Sequence, residues 1–395
     1  MKTTIYNGRL ILSDKIIENA YVSFEDKKIV EIGENFNIKC KEGNLINANN
    51  CYISPGFIDI HIHGGGGYRF IDATEEAFLK IAEIHAKHGM TLLLPSIEST
   101  SDENLLEAMN TFNKLKDKEY NGAKMYGLHL EGPYLNMKHA GGMIPEYIKN
   151  PVKENYEKIL DMSNGNILRW TVAPELPGGI EFGKILKKKG IIASVGHSDA
   201  KYSEVLNAYQ NGYELITHLY SAMSTITREG GFRIPGVIES AYIIPDMWIE
   251  IIADGCHIPC EMLNMIYRLK GVDKTILITD AVDGAGLSAE EYNKKHSEDK
   301  YPTIYEDGVI KLGDRSAFSG SCCTADRLIK VVVEKANIPL VDAVKMLSEN
   351  PAKLIKADNK GKLEVDYDAD IVLFDEQINV FMTIVEGRVV HNKGI

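Results

Sequence analysis

Five short apolar runs in this chain each lead into a residue able to hold a metal ion. Tyr52–Ile62 runs into the pair His61 and His63, Lys124–Leu130 into Glu131, and Ile191–Val195 into His197 across Gly196. Glu214–Thr217 stops at His218, and Lys274–Thr279 stops at Asp280. Three more runs have the same character: Thr91–Ser96, Leu168–Val172 before Ala173-Pro174-Glu175, and Trp248–Ala253 before Asp254-Gly255-Cys256-His257. Short segments rich in Ile, Leu and Val that end at polar residues read as strands buried on both faces, as parallel sheets require. Helical patterns separate them. Glu75–His88 places Phe78, Ile81, Ala82 and His85 three and four apart before Gly89, and Lys201–Gln210, Cys260–Leu269 and Ala325–Lys335 read similarly. Eight strands alternating with helices predict an α/β fold, a (β/α)8 TIM barrel. The carboxyl ends of its strands share one mouth, so the polar groups ending strands one, three, five, six and eight converge there.

Taken singly, these residues have ordinary explanations. A lone Glu131 or Asp280 caps a helix or pairs with a lysine, and His85, His88, His129 and His139 read as structural from their positions. The convergence of five strand ends is what predicts a divalent metal. His61 and His63 alternate onto one face of their strand, about 7 Å apart along it. The glycines Gly64 to Gly67 behind them let backbone pass close to a ligand. Imidazoles with carboxylates suit Zn or Fe, one or two ions per chain. Asp280, at the end of the eighth strand, is placed for acid–base work.

The remaining residues are strand-like and lie at both ends of the chain. Thr3–Tyr6, Asn19–Phe24 and Lys28–Ile32 alternate apolar and polar residues, with Asn7-Gly8 and Asp26-Lys27 as turn signals. Ala369–Phe374, Phe381–Val385 and the Val389-Val390 pair after Gly387 match them. The two ends most simply pair into one small β-sandwich, residues 1–54 with 350–395, around a barrel of residues 55–349. A 395-residue chain, 44% hydrophobic, is long enough for both cores. Its net charge of −12 argues against nucleic-acid or anionic membrane surfaces as partners, while leaving room for a local basic pocket. The absence of a long apolar run or cleavable leader predicts a soluble, cytoplasmic protein. Cys40, Cys51, Cys256, Cys260, Cys322 and Cys323 lack zinc spacing and are expected as free thiols.

These motifs carry a resemblance. PGFIDIHIHGGGG (55–67), GLHLEGPYLN (127–136), TVAPE (171–175), SVGHSDA (194–200), THLYSAM (217–223), RIPG (233–236), DGCH (254–257), LITDA (277–281) and FSGS (318–321) follow one another in order. Together they resemble the N-acetylglucosamine-6-phosphate deacetylases of the amidohydrolase superfamily. The resemblance implies metal-dependent removal of an N-acetyl group from an amino-sugar 6-phosphate, a small-molecule partner, by a homodimer. It implies that Glu131, His197 and His218 hold one metal and that His61 and His63 hold a second, with Glu131 bridging. Substrate contacts fall by the same resemblance on Gly142, Met143, Ser221, Ala222, Arg233, His257, Phe318, Ser319, Gly320 and Ser321.

Three stretches depart from the family. Met143 stands where a histidine helps hold the acetyl carbonyl, and methionine cannot donate a hydrogen bond to an oxyanion. Ser221 replaces an asparagine, and Phe318-Ser319 replaces Leu-Ala. Arg233, with Arg228 close by, takes the place of the phosphate-binding arginine that in relatives reaches the neighbouring subunit. Three readings stay open at this point. They are the N-acetylglucosamine 6-phosphate reaction, a sister hydrolase acting on another N-acyl amine or on N-acetylgalactosamine 6-phosphate, and a non-catalytic scaffold protein.

Overall fold

The computed structural model describes residues 1–37, 43–299 and 301–394. Cys40 lies outside them; the other five cysteines are free thiols. No helix among the described residues is long and apolar enough to cross a membrane.

Eight parallel strands form the barrel: Phe57–Ile62, Met90–Glu98, Leu128–Glu131, Ile167–Val172, Ile192–Val195, Tyr213–Ile216, Trp248–Ile252 and Thr275–Ile278. Residues just past the eighth strand close it onto the first, where Asp280 N–H donates to His61 O at 3.0 Å and His63 N–H to Ala281 O at 2.8 Å. The helices start where local chemistry places them. The Thr74 and Ser101 side chains accept from Ala77 N–H and Asn104 N–H, capping Glu75–Ala86 and Asp102–Leu115. Ala325–Lys330 continues as a wider π turn over Val331–Lys335, so the expected helix is present with a changed pitch.

The barrel interior is layered. Ile58, Ile60, Leu92, Leu94, Ile192, Leu215, Trp248, Ile252, Ile276 and Ile278 form one apolar cluster with Ala352, Leu354, Ile355 and Ala357. The segment around Ala352–Ala357 thus seals the amino ends of the strands. We propose that the helix Glu349–Leu354 belongs with the barrel for this reason, the sheet domain resuming beyond it. Above the apolar layer Ser96, His129, Arg169, Thr171, Ser194, Thr217 and Glu250 are all fully buried. The mouth lies above them.

Both chain ends build one small sheet domain, as expected. Thr3–Ile11, Ile16–Glu25, Lys28–Glu34, Asn44–Asn47, Tyr52–Pro55, Ile371–Phe374, Val380–Val385 and Arg388–Asn392 share one eight-stranded sheet. It curls until Ile29 N–H meets Tyr367 O, so its far edge returns to the segment entering Ile371–Phe374. The enclosed core includes Ile5, Val22, Phe24, Ile53, Ile371 and Ile384.

Three local expectations are corrected. Lys124–Leu130 is broken at Tyr126-Gly127 into Lys124–Met125, which pairs with Met90–Glu98, and Leu128–Glu131. Tyr52–Ile62 is two strands, not one: Tyr52–Pro55 pairs antiparallel with Ile371–Phe374, and Phe57–Ile62 opens the barrel. The break falls at Gly56, where a Cβ would sit 2.1 Å from Thr91 Oγ1, so only glycine lets the chain change sheets there. Asn7-Gly8 is no turn. It is a bulge inside Thr3–Ile11, with Asn7 at φ 57° and a register shift between Ile5 and Gly8.

Candidate metal centre

The expected ligands arrive at the mouth from five strands, His61 and His63 sharing the first. His61 is the last residue but one of Phe57–Ile62, His63 follows that strand, and Glu131 ends Leu128–Glu131. His197, His218 and Asp280 lie just past their strands with φ of 48°, 28° and 48°. That left-handed backbone is costly for residues with a side chain, and such strain gathers at functional sites. It turns each side chain inward at once.

The six residues form two clusters, His61 with His63 and Asp280, and Glu131 with His197 and His218. Glu131 joins them by dividing its oxygens. Oε1 lies 3.1 Å from His197 Nε2 and 3.0 Å from His218 Nε2. Oε2 lies 3.3 Å from His61 Nε2 and 3.0 Å from His63 Nε2. Asp280 Oδ1 stands 3.5 and 3.3 Å from the same two nitrogens. Ligand atoms on a tetrahedral ion with bonds of 2.0–2.1 Å are separated by about 3.3 Å. Both clusters have that spacing.

The ring orientations suit a cation here. His61 Nδ1 lies 2.7 Å from the Glu250 carboxylate, His63 Nδ1 3.2 Å from Ser96 O, and His197 Nδ1 2.7 Å from His139 O. Each Nδ1 must carry a proton to donate to its oxygen, which leaves Nε2 of each ring facing the site, as on a metal-binding imidazole. His61 Nε2 then faces His63 Nε2 at 3.2 Å, and His197 Nε2 faces His218 Nε2 at 3.2 Å. Lone pairs opposed at that distance, against carboxylate oxygens, are satisfied by protons or by metal ions. The titration shifts show the same demand. Burial would lower His63, but Asp280 and Glu131 push it up to about 9, and the carboxylates raise His61 well above its usual range. Burial would raise Asp280, yet His61 and His63 hold it at about 2, while His61, His197 and His218 hold Glu131 well below the carboxylate range. The donor set fits one or two divalent cations.

Buried charges position these ligands from below. Glu250 accepts from His61 Nδ1–H and from His218 N–H at 3.2 Å. Arg169 offsets its charge at 2.6 and 2.7 Å, and also bonds Ser194, Ile60 O and Thr217. Asp59 accepts from His61 N–H and from Thr279, tying the first strand to the eighth. His129 bridges Ser96 and Thr171. Sequence reasoning missed Asp59, Arg169 and Glu250, although a charge flanked by Ile or Leu inside an apolar run was the signal. It also missed Glu98, which holds Arg69 at 2.6 Å beside His63.

The proposed substrate positions divide into two sets. A Cβ on Gly142 would come 3.2 Å from Ser319 Oγ, and one on Gly141 would come 3.4 Å from His197 Cε1, so the loop carrying Met143 spans the mouth. Ser221 N–H bonds His218 O, and Ala222 O accepts from Ser198 N–H. Phe318 packs edge-on against His257, centroids 4.9 Å apart, and Asp254 orients His257 at 2.8 Å. Gly320 sits at φ 79° beside Asp280 O, and the Ser321 hydroxyl is buried, donating to Thr279 O. Arg233 lies elsewhere, on an exposed hairpin of Thr227–Glu229 and Phe232–Ile234, directly opposite Arg228.

A barrel with this donor set at its mouth belongs to the amidohydrolase class, and the amidohydrolase family matches residues 52–390. The N-acetylglucosamine-6-phosphate deacetylase of Lysinibacillus sphaericus is 33% identical over 376 residues, 94% of this chain and 93% of that protein. That of Bacillus subtilis is 30% identical over 384 residues, 96% and 95% of the two chains. The crystal structure of N-acetylglucosamine-6-phosphate deacetylase from Pasteurella multocida superposes with a TM-score of 0.89 at 26% identity, covering 99% and 100%. The chain belongs to the amidohydrolase family, within its group of N-acetylglucosamine-6-phosphate deacetylases.

Proposed function

We propose that this protein hydrolyses N-acetylglucosamine 6-phosphate to glucosamine 6-phosphate and acetate. The observation that supports the reading is Glu131, shared between two histidine pairs beside Asp280, in a chain so similar to deacetylases of that substrate. Glu131, His197 and His218 would hold one divalent ion, zinc or iron, and His61 and His63 a second, bridged by Glu131. Bound there, such an ion supplies Lewis acidity and a water of lowered pKa.

The chain's own residues do the rest. Asp280, held ionised at the mouth, accepts a proton from the attacking water at its carboxylate and returns it to the amine nitrogen. The C–O bond to acetate forms and the C–N bond breaks, with no proton lost overall. Glu250 and Asp59 keep His61 in place through its ring and its backbone. Gly142, Met143, Ser221, Ala222, His257, Phe318, Ser319, Gly320 and Ser321 surround the sugar and acetyl group. Arg233 supplies the phosphate contact on the hairpin that carries Phe232, 77% exposed. An apolar ring so displayed suits burial in a second copy, and we infer a homodimer. Its free thiols suit a cytoplasmic setting.

The test is acetate release from N-acetylglucosamine 6-phosphate by wild type and Asp280→Asn. The introduced amide is nearly isosteric with the carboxylate but accepts no proton, so turnover should fall by about 10²–10⁴ while substrate affinity stays close to wild type. Unchanged turnover removes Asp280 from the mechanism.

A further inference from the structure

The strand-four end carries a carboxylate that the chemistry above does not use. Glu175 Oε1 accepts from Asn136 Nδ2–H at 2.9 Å and from Asp199 N–H at 2.7 Å, and Oε2 accepts the Ser198 hydroxyl at 2.7 Å. One half-buried side chain thus clamps the loop after Glu131 to the loop that carries His197. The two loops are also joined directly. Asn136 N–H donates to His197 O at 2.9 Å, and His197 Nδ1–H donates to His139 O at 2.7 Å. Asp199 takes Lys138 Nζ at 2.8 Å and His139 Nε2 at 3.0 Å. From this clamp the chain runs on through Gly141, against His197, to Gly142, against Ser319.

His197 therefore faces the metal centre with Nε2 and holds the mouth loop with Nδ1 and its carbonyl. A force that fixes the ring fixes the loop, and the reverse. We propose that Glu175 is a positioning residue that couples the loop of residues 136–143 to the metal centre through His197, so that the loop orders over the mouth when a cation is bound. Resting on the metal-centre reading above, the coupling makes substrate enclosure depend on metal occupancy. The imidazole's second nitrogen and its partner govern ligand orientation generally, and losing such support weakens metal binding about 10–100-fold.

Amide hydrogen exchange over residues 136–143, with the chelator-treated protein compared with the zinc-reconstituted protein, tests this. Zinc should slow exchange there about tenfold or more in wild type. Glu175→Ala should leave the loop exchanging near its metal-free rate and weaken zinc binding about 10–100-fold. Glu175→Gln should keep most of both, because its amide oxygen still accepts from Asn136 and Asp199. If Glu175→Ala does not fold, the wild-type comparison and Asn136→Ala decide. Wild type that binds zinc without slowing the loop overturns the coupling, as does a Glu175→Ala protein with wild-type zinc affinity and loop protection. Wild type that takes up no divalent cation is a different result, and it overturns the metal-centre reading and this inference together.

Discussion

Glu131 owes its role to strand parity. It ends a strand whose other inward residue, His129, is sealed in the barrel, so Glu131 is the first position on that face to reach the mouth. Below the ligands, Arg169 and Glu250 form a pair fully removed from water, and Arg169 also bonds Ser194, Ile60 O and Thr217. Breaking a buried pair leaves an uncompensated charge, which costs about 3–5 kcal/mol, whereas an exposed pair contributes about 0–1 kcal/mol. Arg169→Met should therefore lower unfolding free energy by about 3–5 kcal/mol. Lys149→Ala, which removes the exposed partner of Asp102, should change it by under about 1 kcal/mol. Chemical denaturation measures both, and equal small effects would show that the Arg169–Glu250 pair is not needed. The ligands themselves were legible because each interrupts an apolar run at its end. Asp59, Arg169 and Glu250 were not read, because a charge inside a run looks like a flaw in the pattern until its partner on another strand is known.

At the scale of elements, the barrel strands were readable from composition and length, since a strand buried on both faces needs nothing but apolar side chains. The sheet change at Gly56 was not, because it depends on how closely Thr91 approaches. Three hairpins also went unread, Thr227–Glu229 with Phe232–Ile234, Thr303–Glu306 with Val309–Leu312 and Gly64–Gly65 with Tyr68–Arg69, their strands being too short to show alternation. The first of these carries the specificity argument. Arg233 is exposed, and its one side-chain hydrogen bond among the described residues is a long one to Gly231 O, which leaves the guanidinium available to an anion. A charge-assisted contact contributes about 1.5–3 kcal/mol, or about 10–150-fold. Arg233→Ala should raise KM for N-acetylglucosamine 6-phosphate by about that factor and leave the unphosphorylated sugar unaffected. Equal responses from the two sugars would make Arg233 structural.

Across the whole molecule, the order of layers explains why one end of the barrel reacts and the other does not. Residues 352–357 close the amino ends with apolar contacts, a buried polar layer orients the ligands, and the mouth gathers the imidazoles and carboxylates. The sheet domain grips the first strand at Pro55-Gly56, where Gly56 N–H donates to Asp370 O, and so ties the His61 strand to both chain ends. Glu131 is proposed to join two cation sites on which hydrolysis depends. Elemental analysis of zinc-reconstituted wild type and Glu131→Ala, each paired with acetate release from N-acetylglucosamine 6-phosphate, tests this most directly. Wild type should hold two divalent ions per chain, with both metal and turnover lost in a folded Glu131→Ala protein. Unchanged metal content and turnover in that variant would contradict the proposal.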